Sequence, residues 1–108
     1  MSRDNLGEFE LRVLLTLLRL GDDAYSVPIV RELERRTGRE VAAAAVYIAL
    51  RRLEERQLVR SELRDPGARG GRQRRHFLLT DEGRAQMRET HRAYMRLAEG
   101  LGPLLEDA

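Results

Sequence analysis

Cysteine is absent from this chain of 108 residues, which excludes disulfide staples, thiolate zinc sites and thiol catalysis together. Lysine is absent too, so all 20 basic residues are arginine. GC-rich coding can account for that choice of residue, but not for where the arginines fall. Nowhere does the chain hold the roughly 18 consecutive apolar residues that a bilayer span needs. Its opening, MSRDNLGEFE, has acids where a secretion signal would carry a basic end and an apolar stretch, so a cytoplasmic protein is expected. Catalytic patterns are missing as well. His76 and His91 stand 15 residues apart, and there is no HExxH pair, phosphate loop or nucleophile with base and orienter. Glu54 and Glu55 are adjacent and diverge on a helix. Neither an enzyme nor a cofactor or metal is expected.

What is present fits a single domain, for which roughly 100 to 200 residues is the usual length. The composition is 42% hydrophobic and 35% charged, and its Leu, Val and Ile are gathered in segments, as a folding chain requires. The formal net charge of +2 hides a strong asymmetry. Residues 1–50 carry 7 Arg against 8 acids, residues 51–75 carry 9 against 4, and residues 76–108 carry 4 against 6. One concentrated cationic segment in a nearly neutral protein points to an anionic partner met at one place.

Periodicity supplies the elements. From Asn5 to Leu20, Leu6, Phe9, Val13, Leu17 and Leu20 make one apolar stripe, and Leu11, Leu14, Leu15 and Leu18 a second, which predicts a helix covered on two sides. Gly21 stops it. Ser26 is the expected N-cap of a second helix, with Pro28 in its first turn, running to Gly38. A third helix is expected from Ala42 to Gln57, with Val46, Leu50 and Leu53 inward and Tyr47, Arg51 and Arg52 on the other face. The runs LVRSEL and RRHFLL around RDPGARGGR read as a β-hairpin with a long arginine-rich tip. Thr80 caps a last helix, whose first acids, Asp81 and Glu82, suit the positive end of its dipole.

That last helix places Met87, His91, Tyr94, Ala98 and Leu101 at steps of 4, 3, 4 and 3, a seam of the a/d kind with Leu97 beside it. A homodimer is expected through the first and last helices, with Leu6, Phe9, Met87, Tyr94, Leu97 and Leu101 as its contacts. A seam folded back on the chain's own first helix is the alternative. The chain divides into a head, residues 1–80, and a C-terminal dimerisation helix with a short tail, residues 81–108.

Three helices, a hairpin and a helix, in that order, make a mainly α fold with winged helix-turn-helix topology. LGEFELRVLLTLL, GDDAYSVPIVRELERRTG, VYIALRRLEERQLV and RGGRQRRHFLLTDEGR, in this order, make the sequence resemble the PadR family of bacterial transcriptional regulators, from Gly7 to about Leu101. The single C-terminal helix is similar to the compact branch of that family. The resemblance implies a sequence-specific regulator of double-stranded DNA, with repression the expected sense and efflux, transport or phenolic-acid genes the implied targets. Two positions depart from the family pattern. Ala42 to Ala45 stand where a small polar cap and a glycine usually precede the recognition tyrosine, and Gln57 stands where a glycine usually follows the third helix.

On this reading the third helix enters the major groove. Ala43 can touch a thymine methyl but cannot hydrogen-bond a base edge. Tyr47 bonds a phosphate or packs on a sugar, unless it closes the core against Val30. Arg51 reaches a phosphate or a guanine, and Arg52 lies beside it, unless both pair with Glu54 and Glu55 on a solvated face. Arg69, Arg72, Arg74 and Arg75 are placed to meet backbone or minor groove from the wing, and Ser26 a phosphate. The competing reading is a winged-helix module whose basic wing docks an acidic protein. A small-molecule effector is expected, if at all, in the apolar space between first and last helices, lined by Phe9, Met87 and Tyr94.

Overall fold

A computed structural model describes residues 6–67 and 70–107. Helix α1 (Glu8–Leu20) runs into a single 3-10 turn at Gly21–Asp23, followed by α2 (Ser26–Thr37) and α3 (Ala43–Glu55). The strands β1 (Val59–Arg64) and β2 (Arg74–Leu79) come next, then α4 (Asp81–Ala98) and a short α5 (Gly102–Glu106). The strands pair antiparallel, from Val59 opposite Leu79 to Arg64 opposite Arg74. The expected mainly helical winged helix-turn-helix is the fold observed.

Local chemistry sets the boundaries. At the start of α1 the Gly7 N–H donates to the Glu10 carboxylate at 3.0 Å, satisfying a donor that the helix leaves free. Ser26 is not the cap of α2. The cap is Tyr25, in extended backbone and without a capping bond from its side chain, and Ser26 is the first helical residue; the Tyr25 carbonyl accepts the first helical bond, from the Ile29 N–H. Pro28 falls in the first turn, where its missing N–H leaves no bond broken. After α2, Gly38 takes the left-handed conformation at φ 70°, and Glu34 reaches forward to accept from the Val41 N–H at 3.0 Å. This fixes the turn into α3. Thr80 does cap α4, its hydroxyl accepting from the Gly83 N–H at 2.9 Å and donating to the Gln57 carbonyl at 2.7 Å.

The core joins Val13, Leu14 and Leu17 of α1, Ile29 and Leu33 of α2, and Val46, Leu50 and Leu53 of α3 to Leu58, Val59 and Phe77 of the hairpin. Each such aliphatic side chain contributes about 1.5 to 3 kcal/mol by leaving water. α4 adds Met87, buried at 5% exposure, and Leu6 closes the same core at 4%. These two expected dimer residues therefore belong to the chain's own interior, and Phe9 packs half-buried against it. The lower part of the seam folds back on its own domain, where α4 packs on α1 and β2 and Met87 and Thr90 are buried. Past Thr90, Tyr94, Leu97 and Leu101 are exposed. The second stripe of α1 divides likewise, with Leu11 and Leu14 buried and Leu15 and Leu18 exposed.

Candidate nucleic-acid interface

Helix α3 turns one face inward through Val46, Ala49, Leu50 and Leu53. At 100° per residue, the opposite face carries Ala44, Tyr47, Ile48, Arg51, Arg52 and Glu55, with Ala43 at its edge, all exposed. Tyr47 is 53% exposed, so it does not close the core against Val30. The Arg51 guanidinium stands 5.9 Å from the centre of the Tyr47 ring, at the edge of cation–π range. Glu54 turns away from Arg51 and Arg52 to accept from the Ser61 hydroxyl at 2.6 Å. Both arginines are exposed.

The wing is held against the start of α2. The Phe77 N–H donates to the Ala24 carbonyl at 2.9 Å, extending the hairpin by one bond into the loop before α2. The Asp22 carbonyl lies 2.9 Å from His76 Nδ1 and accepts from Arg64 at 3.2 Å. Arg64 in turn bonds Glu62 at 2.7 Å, and that hydrogen bond holds the Glu62 carboxyl below the usual glutamate range. The Tyr25 ring packs at 5.3 Å from His76. On Tyr25 lies Arg74, its guanidinium 4.5 Å from the ring centre and 3.0 Å from the hydroxyl. Arg75, on the alternate face of β2, donates at 3.0 Å to the same Ser61 hydroxyl that bonds Glu54, linking wing to α3.

These elements enclose an open groove of about 720 Å³. α2 contributes Ser26, Val27 and Arg31, α3 contributes Tyr47, and the wing contributes Arg72, Arg74 and Arg75, with no carboxylate in the lining. Of the residues expected to meet DNA, the structure thus gathers Ser26, Tyr47, Arg72, Arg74 and Arg75 at one place. Ala43, Arg51 and Arg52 lie on the adjoining face of α3, and Arg69 lies outside the described residues. Arg31, Tyr25 and Ile48 were not anticipated. Arg31 carried a usable signal, since it opposes the buried Ile29 and Leu33 on α2. Tyr25 carried none, because its partner Arg74 is 49 positions away.

The model of the transcriptional regulator PadR-like family matches residues 14–89. The chain belongs to the PadR-like family. A PadR family transcriptional regulator from Eggerthella lenta is 32% identical, over 93% of this chain and 89% of that one, with a TM-score of 0.67. A PadR family regulator from Clostridium difficile (21% identity, TM-score 0.74) covers 92% of this chain and 99% of its own. A PadR-like regulator from Bacillus cereus (20% identity, TM-score 0.75) covers 90% of each. These last two share the fold. No curated protein sequence matches the chain. As a PadR-like protein the chain is a DNA-binding transcriptional regulator and not an enzyme.

Among the described residues, no cluster of His, Asp and Glu is placed to hold a metal ion, and no helix is long and apolar enough to cross a membrane. The three residues expected to line an effector site are separated. Phe9 lines a cleft with Leu33 and Val41, Tyr94 a different one with Leu6, Thr90 and Leu97, and Met87 is buried.

Proposed function

We propose that this PadR-like regulator binds a pseudo-palindromic operator as a homodimer, with α3 of each head in the major groove and each wing on the adjoining backbone or minor groove. The groove between α2, α3 and the wing carries this reading. It joins three elements, is lined by four arginines without a carboxylate, and continues onto the exposed face of α3. Its cationic wall supplies affinity through phosphate neutralisation, and the helix face supplies discrimination between bases. The head comprises residues 1–80 with the first turns of α4, whose Met87 is buried in its core, and the rest of residues 81–108 joins two heads. Two-fold symmetry then sets half-sites one helical turn apart, roughly 10 base pairs centre to centre. A change in the angle between the heads would release the operator, and repression is the sense we assign.

The test is fluorescence anisotropy with a labelled duplex from upstream of the chain's own gene, beside a scrambled duplex, at two salt concentrations. Selective binding that persists at the higher salt supports the proposal. Binding equal for both duplexes and lost with salt would assign the basic wing to another anionic partner, such as an acidic protein surface. Arg72→Ala and Arg74→Ala should weaken binding to every duplex and lower the salt slope by about 1 each. Tyr47→Ala or Arg51→Ala should instead change sequence preference. Negligible effects from all four would remove α3 and the wing from the interface.

A further inference from the structure

The outward face of α3 is unusual in what it lacks. Before its first arginine it presents Ala43, Ala44, Tyr47 and Ile48, all exposed, and the Tyr47 hydroxyl is the only side-chain hydrogen-bonding group of the four. Ala44 points most directly away from the buried face. Ile48 is 51% exposed, one turn beyond Ala44 and on the side of the helix away from the wing. The capping position adds no polar group either, because Ala42 makes no side-chain bond. A single exposed isoleucine is ordinary on a protein surface. Here it completes an apolar strip, one turn from Arg51 and Arg52, on the face that the proposed function puts against base edges. In the major groove one base feature suits such a strip, the 5-methyl group of thymine.

We propose that Ala43, Ala44 and Ile48 read thymine through its methyl group, so that this regulator discriminates bases on α3 by apolar contact and not by hydrogen bonds to base edges. The inference rests on α3 lying in the major groove. The short alanine side chains allow the helix to approach the base edges closely. Ile48, the longest apolar side chain on the strip, reaches furthest, and Tyr47 and Arg51 remain for the backbone. Each thymine methyl covered on binding is worth about a fourfold change in affinity, as expected for one buried carbon group.

The experiment begins with an operator selected by the full-length chain from a pool of random duplexes. Uracil then replaces thymine one position at a time in a half-site, removing the methyl and leaving every hydrogen-bonding edge unchanged. About fourfold weaker binding is expected at one or more thymines. Where thymine→cytosine lowers affinity at such a position, 5-methylcytosine should recover part of it. Ile48→Ala should abolish the thymine-over-uracil preference at one position and leave the others, which separates direct contact from an effect of the methyl on duplex shape. Selective binding with uracil equal to thymine throughout would overturn the methyl reading and leave the regulator reading intact. Failure to select any duplex would overturn both.

Discussion

Gln57 is the one residue other than glycine among those described with a positive φ, at 63°. It follows α3, where the Gln57 N–H bonds the Glu54 carbonyl and the Leu58 N–H the Leu53 carbonyl, each at 2.9 Å. This is the paired pattern that closes a helix through a left-handed residue. A side chain in that conformation costs about 1 to 2 kcal/mol, and glycine returns about 0.5 to 1 of this as extra freedom in the unfolded chain. Gln57→Gly should therefore stabilise the domain by about 0.5 to 1 kcal/mol in urea denaturation; an unchanged or lower midpoint would show that the turn is relaxed as it stands. The opposite holds at Gly83, buried where α4 crosses this same turn. A Cβ built there would lie 1.9 Å from the Leu58 carbonyl oxygen, and backbone cannot give way as a side-chain tip can. Gly83→Ala should cost about 3 kcal/mol, the upper end of overpacking penalties, and a melting temperature within a degree of the parent would refute the close approach.

The wing shows how far a linear pattern carries. Its strands were legible from alternation and its tip from Pro66, Gly67, Gly70 and Gly71, and the helices from apolar spacing. Its attachment to α2 was not, because Ala24 to Phe77, Asp22 to His76 and Tyr25 to Arg74 are pairings across some 50 positions. For the same reason Ser26 read as a cap, when the backbone at Tyr25 already filled that place. Since Tyr25 is the platform that holds Arg74 toward the groove, Tyr25→Ala should weaken duplex binding about as much as Arg74→Ala. The double variant should be little worse than either, the coupling expected of residues in contact; full additivity in a binding cycle would mean that Arg74 is positioned by something else. The α1–α2 pair has its own tie. Glu32 accepts from Arg36 and Arg35 and lies 3.9 Å from Arg19 of α1, and the hydrogen bond from Arg36, then that from Arg35, holds its carboxyl below the usual glutamate range. A lowered carboxylate stabilises the fold fully above the ordinary glutamate range near pH 4.3, and this contribution is lost as pH falls through the lowered value. Glu32→Gln should flatten that acid limb by lowering the midpoint at neutral pH while leaving it nearly unchanged near pH 3, read from urea midpoints between pH 3 and 7; parallel pH curves would show the cluster to be solvated.

As a whole the molecule is long, 52 × 36 × 21 Å, because α4 and α5 extend past the head. The seam read evenly from Met87 to Leu101, since spacing reports which residues share a face and not which body covers it. In the structure Met87 belongs to the head, while Tyr94, Met95, Leu97, Leu101, Leu104 and Leu105 stand exposed at 42% or more. Six large apolar side chains exposed within residues 94–105 fit the dimer surface proposed above, and a second copy of the same helix offers a self-complementary cover. Charge placed there should separate association from folding. Tyr94→Asp combined with Leu101→Asp should give a folded monomer by light scattering, with the melting of the head retained and operator affinity weaker by 10²-fold or more, as when two linked sites bind separately. Met87→Asp, which places a charge inside the core, should instead unfold the head. A Tyr94→Asp, Leu101→Asp protein that stays dimeric would move the interface to the exposed Leu15 and Leu18 of α1. A monomer that still binds the operator with full affinity would mean that one head, with its groove and its α3 face, suffices for recognition.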